Sequence, residues 1–375
     1  MNALIDKNQF IGLEHCAWLY SGAESPPHRG VLSAMQDYVM ARSKGPEGSA
    51  INEQVEESCR RQVAAMMEGS QEQIALVSNV SEAINQIAQM IPFQPGDNVV
   101  INNLEFPSGV LPWLRHEKVE VRVVAHQNWQ VTEEDMLAHV DEKTRLVVVS
   151  HVSFMTGSRL NYKRLYEQLK DTNTLLLLDV TQSLGVVPVE LSYADFVVCS
   201  SYKWLLSVHG AGIMAVNPER TKSLLPPAAG WRSVSDLFNP DRFRTFEYYS
   251  DARKFELGYP SFPTLYAMNY STKLLLDIGI DKIEQHVLAL GGELMNQLRQ
   301  LGFKLMTPKQ PERRAGNISI VCDQGEYAAE LLAEQGIYVW GGDQRLRMSV
   351  HAFNDLSDVE KVVQALGELK SSGKI

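Results

Sequence analysis

The sequence predicts an α/β fold in which a mostly parallel sheet is followed by a smaller α+β domain. Short apolar runs alternate with helix-period segments from about residue 31 to residue 218, which is typical of parallel sheets covered by helices on both faces. Several runs, such as Leu175–Leu178, contain no polar residue, as expected of strands buried on both faces. After an irregular stretch, long amphipathic helices and two more strands indicate the second domain.

The first part of the chain contains strand candidates separated by helices. The strands are Ile74–Ser78, Asn98–Asn102, Val119–Ala125, Arg145–Ser150, Thr174–Asp179, Phe196–Ser200 and Gly212–Val216. The helices between them are Ile51–Met67, Ser81–Ile91, Glu133–Val140 and Leu160–Lys170. Thr132 and Asp135 have the spacing of a capping box, with Asp at the position where Glu or Gln is preferred.

The second part begins after residues 228–251, whose Pro, Arg and aromatic content predicts an irregular loop. The elements that follow are the helices Leu265–Ile278 and Lys282–Leu301 and the strands Asn317–Val321 and Arg345–Val350. Ser357 and Glu360 have capping-box spacing and predict the start of the last helix.

The bulk properties exclude several classes of function. The formal net charge is −10 and no basic stripe is visible, which disfavours nucleic acid as a partner. The four cysteines are far apart and form no C-x-x-C spacing, so neither a disulfide framework nor a zinc site is expected. No secretory signal or membrane-spanning apolar stretch is visible. We expect a soluble cytoplasmic protein.

An acid and an amine follow two of the predicted strands. Asp179 ends the run Leu175–Leu178, and Lys203 follows the run Phe196–Cys199. Open α/β sheets place ligand chemistry at the carboxyl ends of such strands. The pair suits the two ends of pyridoxal 5′-phosphate (PLP), since Lys203 would hold the aldehyde as a Schiff base and Asp179 would pair with the ring nitrogen.

Other side chains around these strands suit the rest of the cofactor. A phosphate is expected at the start of the helix that follows Ser78, because helix N-termini offer free N–H groups. Phe106 offers a flat surface to the ring. The full set is Val80, Ser81, Ser200 and Tyr202 for the phosphate, and Phe106 and Gln182 for the ring. Taken singly, each has an ordinary alternative as a cap or core residue, so only their conjunction predicts a PLP site.

Three motifs carry a resemblance to a known family: Asp179-Val180-Thr181-Gln182, Ser200-Ser201-Tyr202-Lys203 and Gly210-Ala211-Gly212. Together they resemble the class V aminotransferase family of PLP-dependent enzymes, which includes cysteine desulfurases, kynureninase and isopenicillin N epimerase. The resemblance extends from Trp18 to Asn354. It implies the type I PLP fold, with a large domain around a mostly parallel seven-stranded sheet and a small C-terminal domain.

The resemblance also implies an organisation of the chain and roles for its residues. We predict an N-terminal segment near the active site (1–30), a large PLP-binding domain (31–250), a small domain (251–375) and a homodimer with interfacial active sites. Arg347 matches the arginine that grips the substrate's α-carboxylate. Tyr259 replaces the family's Thr in Gly-Thr-Pro, which reaches the phosphate of the neighbouring subunit. Arg232 lies in an entrance loop, where a substrate contact and a solvated side chain are both open.

Two departures from the family pattern bear on the reaction. Residues 337–344 contain no cysteine, whereas cysteine desulfurases carry their nucleophile there, so desulfurase activity is disfavoured. Phe154 stands where desulfurases place an Asn near the ring oxygen. We therefore predict an aminotransferase acting on a small amino acid, with a Cβ–S lyase or an epimerase of the isopenicillin N type as alternatives. A non-enzymatic binding protein is disfavoured because Lys203 and Asp179 are both present.

Overall fold

A seven-stranded sheet, here called the central sheet, lies at the centre of the computed structural model, which describes residues 1–375. It consists of β2 (Ile74–Val77), β3 (Asp97–Asn102), β4 (Val119–Val124), β5 (Thr144–Ser150), β6 (Leu175–Asp179), β7 (Phe196–Ser200) and β8 (Gly212–Val216), following a short β1 (Ala17–Trp18). The order is β2-β8-β7-β6-β5-β3-β4. Only β8 runs antiparallel to its neighbours. The predicted mostly parallel seven-stranded sheet is confirmed.

The apolar strands are buried on both faces because each face packs against its own core. Leu176 and Leu178 belong to one core cluster, and Leu177 belongs to a second cluster on the opposite face. Successive side chains of a strand point to opposite faces, so a strand between two cores needs apolar residues at every position. This explains why the run Leu175–Leu178 shows no alternation.

Helices cover both faces of the central sheet and continue into the C-terminal part. They are α1 (Arg29–Arg42), α2 (Pro46–Ala65), α3 (Val80–Met90), α4 (Leu111–Leu114), α5 (Glu133–Leu137), α6 (Tyr162–Leu169), α7 (Pro218–Thr221), α8 (Phe262–Ile278), α9 (Ile280–Gln300), α10 (Gly325–Ala333) and α11 (Leu356–Ser371). No helix combines the length and the apolar character needed to cross a bilayer. Between α7 and residue 252 the chain forms neither helix nor strand, as predicted for residues 228–251.

Helix starts test the capping predictions. The predicted box at Thr132 is confirmed, since Thr132 Oγ1 accepts from Asp135 N and Asp135 Oδ2 accepts from Thr132 N. The predicted box at Ser357 is wrong, because α11 is capped by Asp355, whose carboxylate accepts from the backbone N of Ser357 at 2.9 Å. A carboxylate is as good a cap as a hydroxyl, and Asp355 lies two residues before Ser357.

A second, three-stranded sheet, here called the C-terminal sheet, contains β9 (Asn317–Val321), β11 (Trp340–Gly342) and β12 (Arg345–Ser349), with a separate short β10 (Ile337–Tyr338) between β9 and β11 in sequence. Leu346 and Met348 of β12 join the core formed with α9, α10 and α11. Alternation along the strand therefore places Arg345, Arg347 and Ser349 on the opposite face of β12.

The N-terminal segment is tied to both parts of the chain. β1 pairs with β10 in parallel, and Ser349 N donates to Leu19 O at 2.8 Å. Ser25 Oγ donates to Lys203 O. The C-terminal part is connected to the large part through α8, which packs on α1 and α2 and contributes residues to the core of the central sheet. The proposed division at residues 30 and 250 stays a prediction.

The β11–β12 hairpin carries backbone strain that a substitution can relieve. Asp343 and Gln344 form its two-residue loop with φ of 47° and 55°. Positive φ at both loop positions is the type I′ pattern, which favours Gly at the second position. We expect Gln344→Gly to raise the free energy of unfolding by about 0.5–1 kcal/mol in chemical denaturation. Gln310→Gly, at an exposed extended position (φ −69°), is the control and is expected to lower it.

Candidate active site

A cleft of about 290 Å³ lies at the carboxyl ends of β5, β6 and β7. The last residues of these strands, Ser150, Asp179 and Ser200, all line it. The predicted site residues that line it are Val80, Ser81, Phe106, Asp179, Gln182, Ser200, Tyr202 and Lys203. The structure thus brings together eight of the ten side chains that the sequence singled out, and leaves Tyr259 and Arg347 off the cleft wall.

Lys203 is a buried amine, with 9% of its surface exposed. Burial and, secondly, the positive charge of Arg347 together lower its pKa to about 8, against the opposing negative charge of Asp179. Nζ lies 5.4 Å from the centroid of the Phe106 ring and 5.6 Å from that of Tyr202. A desolvated lysine of this kind is neutral often enough near neutral pH to act as a nucleophile or base.

The lowered pKa of Lys203 has a direct test on the protein without added cofactor. The neutral amine reacts with acetic anhydride, so acetylation of Lys203 should rise as the pH rises through about 8 and then level off. A lysine with the usual pKa of 10.5 reaches its plateau at higher pH. Trace labelling at each pH, followed by peptide mass spectrometry, measures the acetylation of Lys203 and of lysines with the usual pKa. A midpoint for Lys203 near 10.5 would contradict activation by burial.

Asp179 is positioned by the loop that follows β6. Its Oδ1 accepts from the backbone N of Thr181 at 2.8 Å, and Thr181 Oγ1 accepts from the backbone N of Ser200 at 3.2 Å. Burial raises the pKa of the Asp179 carboxyl, while the Thr181 hydrogen bonds and Lys203 act in the opposite direction. The ends of β6 and β7 are therefore joined through Thr181, two residues after the acid.

One end of the cleft is a cluster of hydrogen-bond donors at the start of α3. Asn79 caps the helix by accepting from Glu82 N at 2.9 Å, and the backbone N–H groups of Val80 and Ser81 make no hydrogen bond within the chain. Ser200 Oγ is buried there without a partner. A Cβ added to Gly212 would lie 2.8 Å from the Asn79 carbonyl carbon, so the glycine allows the close approach of this turn. Such a set of free donors suits a phosphate.

The aromatic side of the cleft is formed by Phe106 and Phe154. Phe106 is 43% exposed, and its ring meets that of Phe154 edge to face at 5.2 Å. Gln182 is held by three hydrogen bonds: Oε1 accepts from Trp204 Nε1 and Asn317 Nδ2, and Nε2 donates to Gly22 O. One N–H of the Gln182 amide remains for a ring oxygen.

Arg347 lies behind the cleft on the face of β12 that is turned away from the C-terminal core. Its Nη1 donates to the Phe154 carbonyl at 2.7 Å, and its Nε is buried without a partner. Burial lowers the pKa of its guanidinium to about 9. A Cβ at Gly22 would lie 3.0 Å from Arg347 Cζ, so the N-terminal segment makes room for the guanidinium.

Tyr259, which was predicted to bind the cofactor, and Arg232, whose role was left open, both lie outside the cleft. Tyr259 is 67% exposed and packs edge-on against Trp231 at 4.7 Å, so within one chain it does not reach the cleft. Its contact with a neighbouring subunit's phosphate, and the homodimer itself, stay predictions. Arg232 lines a separate cavity and pairs there with Glu56 and Glu256. Within the chain its charge is committed to those two carboxylates.

Glu105 is a site residue to which the sequence reasoning gave no role. Its Oε1 accepts from Asn102 Nδ2 at 2.6 Å and from Ser150 N at 2.8 Å, which ties the loop carrying Phe106 to the end of β5. Burial raises the pKa of its carboxyl to about 7. The signal available in the sequence was its place next to Phe106, but no spacing pattern linked it to Ser150.

The residues around the cleft fit PLP. Unpartnered donors lie at the start of α3 and on Ser200, an aromatic ring and an amide line the middle, and an acid and a low-pKa amine face each other. The family model for class V aminotransferases matches residues 17–362. The chain belongs to the class V aminotransferase family of PLP-dependent enzymes. The predicted family, type I fold and cofactor are confirmed by this membership together with the fold.

Relatives in this family carry more than one activity in their names. An uncharacterized aminotransferase of Schizosaccharomyces pombe is 26% identical over 97% of this chain and 93% of its own. A probable cysteine desulfurase of Methanothermobacter thermautotrophicus is 26% identical over 84% of each chain. The solved apo cysteine desulfurase of Thermococcus onnurineus superposes with a TM-score of 0.90 at 22% identity, covering 99% of this chain and 100% of that one. The comparisons thus do not disfavour desulfurase-type chemistry, contrary to the expectation from residues 337–344.

Proposed function

We propose that this class V enzyme is an aminotransferase that acts on a small amino acid at the Lys203 cleft. The observation that carries the proposal is the buried Lys203 amine, whose pKa is lowered to about 8 between the charges of Asp179 and Arg347. An amine of that kind can exchange protons with a substrate carbon near neutral pH. Relatives named as aminotransferases across almost the whole chain support the proposal.

In this proposal each residue has one task. The chemistry supplied by bound PLP is an electron sink for the α-carbon of an amino acid. Arg347 binds the substrate's α-carboxylate through the guanidinium edge that includes its unpartnered Nε. Lys203 Nζ would accept the α-proton of the substrate and hold it as an ammonium group until it is returned to carbon. Asp179 would pair, as a carboxylate, with the ring nitrogen of PLP, and the apolar Phe106 and Phe154 rings would keep water away from the reacting carbon.

A Cβ–S lyase is the second candidate, and relatives named probable cysteine desulfurases favour it. No cysteine lies between residue 323 and the end of the chain, and Cys322 is buried beside the C-terminal core. A sulfur atom taken from a substrate would therefore leave as a small molecule, with no cysteine of this segment to carry it. Both candidates share the first proton transfer to Lys203 and differ only in what leaves afterwards.

The deciding experiment is a product analysis of the PLP-loaded protein with a panel of L-amino acids and α-keto acids. Transfer of ¹⁵N from an amino acid to a keto acid is the result expected for the aminotransferase. Formation of pyruvate, ammonia and sulfide from cysteine or cystine, without nitrogen transfer, would show that the enzyme is a Cβ–S lyase and not an aminotransferase. Formation of the D-enantiomer alone would identify an epimerase and overturn both.

Arg347 gives the proposal a specific binding test. Arg347→Gln removes the charge and the fork while keeping a polar chain, so we expect the substrate KM to rise at least about tenfold, with PLP still bound. Arg159→Gln is the control, since Arg159 pairs with Glu284 and lines another cavity. An unchanged KM in the Arg347 variant would mean that the carboxylate is held elsewhere.

A further inference from the structure

Next to Arg347 the same strand presents a second buried arginine. Arg345 and Arg347 are two residues apart on β12 and share the face turned away from the C-terminal core. Arg345 Cζ lies 4.2 Å and Arg347 Cζ 5.4 Å from the centroid of the same Trp340 ring. Arg345 Cζ is also 5.2 Å from the ring of Phe154, which lines the cleft. The two guanidiniums therefore form one positive wall beside the active site.

The charge of Arg345 is poorly matched by the rest of the chain. The side chain is fully buried, and its Nε and Nη2 have no hydrogen-bond partner. Its one ion pair joins Nη1 to Asp343 Oδ2 at 3.0 Å, and Asp343 is a turn residue that is largely exposed to solvent. Leaving guanidinium donors buried without acceptors is costly. An anion that reaches them would remove that cost.

We propose that Arg345 binds a second anionic group on the substrate, so that this enzyme prefers amino acids whose side chain ends in a carboxylate. The inference rests on the proposed role of Arg347 for the α-carboxylate and extends it to the substrate class. Arg347 is itself only 2% exposed, so the two guanidiniums are equally enclosed. Arg232, the other candidate for an acidic side chain, already has Glu56 and Glu256 as partners.

The geometry favours a short dicarboxylic amino acid. Side chains two residues apart on a strand emerge roughly 7 Å from each other. The two carboxylates of aspartate or glutamate are separated by only a few bonds and can each meet one guanidinium. A monocarboxylic amino acid would leave Nε and Nη2 of Arg345 without acceptors. Enzymes reject analogues that leave buried polar groups of the site unpaired.

Matched ligand pairs test the preference by binding rather than by turnover. The dissociation constants of L-glutamate and L-norvaline, and of the unreactive acids glutarate and pentanoate, are measured on PLP-loaded protein by calorimetry. We expect the dicarboxylate of each pair to bind about ten- to a hundredfold more tightly. Arg345→Gln should reduce that ratio to near one. Arg314→Gln, which alters a buried arginine bonded to Leu288 O away from the cleft, should leave the ratio intact.

The outcomes separate this inference from the function beneath it. Equal binding within each pair by the unaltered protein, or an unchanged ratio in Arg345→Gln, overturns the role of Arg345. Failure of every amino acid and acid to bind overturns the proposed function instead. If Arg345→Gln does not fold, Asp343→Asn replaces it. That substitution keeps a turn-compatible residue and removes the competing carboxylate, so the preference should increase, and an unchanged preference overturns the inference.

Discussion

Replacing Lys203 by alanine is expected to abolish amino acid turnover, with a loss of at least about 10³-fold. On the proposed roles, the substitution removes both the amine that would attach the cofactor and the base that would take the α-proton. Borohydride treatment of the PLP-loaded wild-type protein should label the peptide that contains residue 203, and the variant should lose that label. Water is a far weaker base than a buried amine with a pKa of about 8, so it is not expected to replace Lys203.

Lys254 is the matched control for this experiment. It is also a buried lysine whose pKa is lowered by burial, but its Nζ donates to the Leu224 carbonyl at 2.9 Å outside the cleft. We expect Lys254→Ala to change stability and to leave the borohydride label and the turnover in place. Substantial turnover in Lys203→Ala, or loss of the label in both variants, would remove Lys203 from the proposed mechanism.

Asp179→Asn is expected to produce the second large effect, a fall in turnover of about 10²–10³-fold with weaker retention of PLP. The asparagine amide has the same shape as the carboxylate, and its oxygen can still accept the hydrogen bond from Thr181 N. The negative charge in the cleft is lost. Burial raises the pKa of Asp179, which means that the folded protein disfavours its charged form. The variant should therefore be at least as stable as the wild type at neutral pH.

Asp195→Asn should lower the stability of the fold and leave turnover in place, the reverse of what is expected for Asp179→Asn. Asp195 is fully buried between β6 and β7, where it accepts from Leu176 N and from Arg220 Nε, each at 2.8 Å. Removing its charge leaves Arg220 without its carboxylate, so thermal unfolding should occur at a lower temperature while turnover persists. A catalytic defect in Asp195→Asn that equals that of Asp179→Asn would mean that the loss in the latter reflects general damage to the sheet.

The inner strands β5, β6 and β7 of the central sheet were predictable because they lie between two cores and are mostly apolar, whereas the edge strand β4 has Glu120 and Arg122 between its valines. The helix α1 was missed because it has no clear apolar stripe; Val39 and Met40 near its end are 62% and 64% exposed. The start of α11 was misplaced because Asp355 and Ser357 are both good caps, and only the structure decides between them. Local sequence could not rank two adjacent capping residues of similar strength.

The residues of the site also fall into a predictable group and a group that the sequence could not predict. Asp179, the last residue of β6, and Lys203, three residues after β7, were predictable because the end of a strand fixes where such side chains emerge. Arg345 and Glu105 were not, because their places depend on how distant segments pack: the Phe154 ring packs near Arg345, and Ser150 near Glu105. Tyr259 depends on a second chain, and its role stays a prediction.

The pairing of β1 with β10 has a consequence for how the chain is made. Residues 17 and 18 pair with residues 337 and 338, and Leu4 N bonds to Ala352 O, so this segment is synthesised long before its partners and is among the last parts of the chain to be packed in place. Synthesis of the intervening chain takes on the order of tens of seconds. During that time the central sheet can form while β1 still lacks its partner β10. The apolar residues of β1 then stay exposed to chaperones and proteases until the C-terminal part is made.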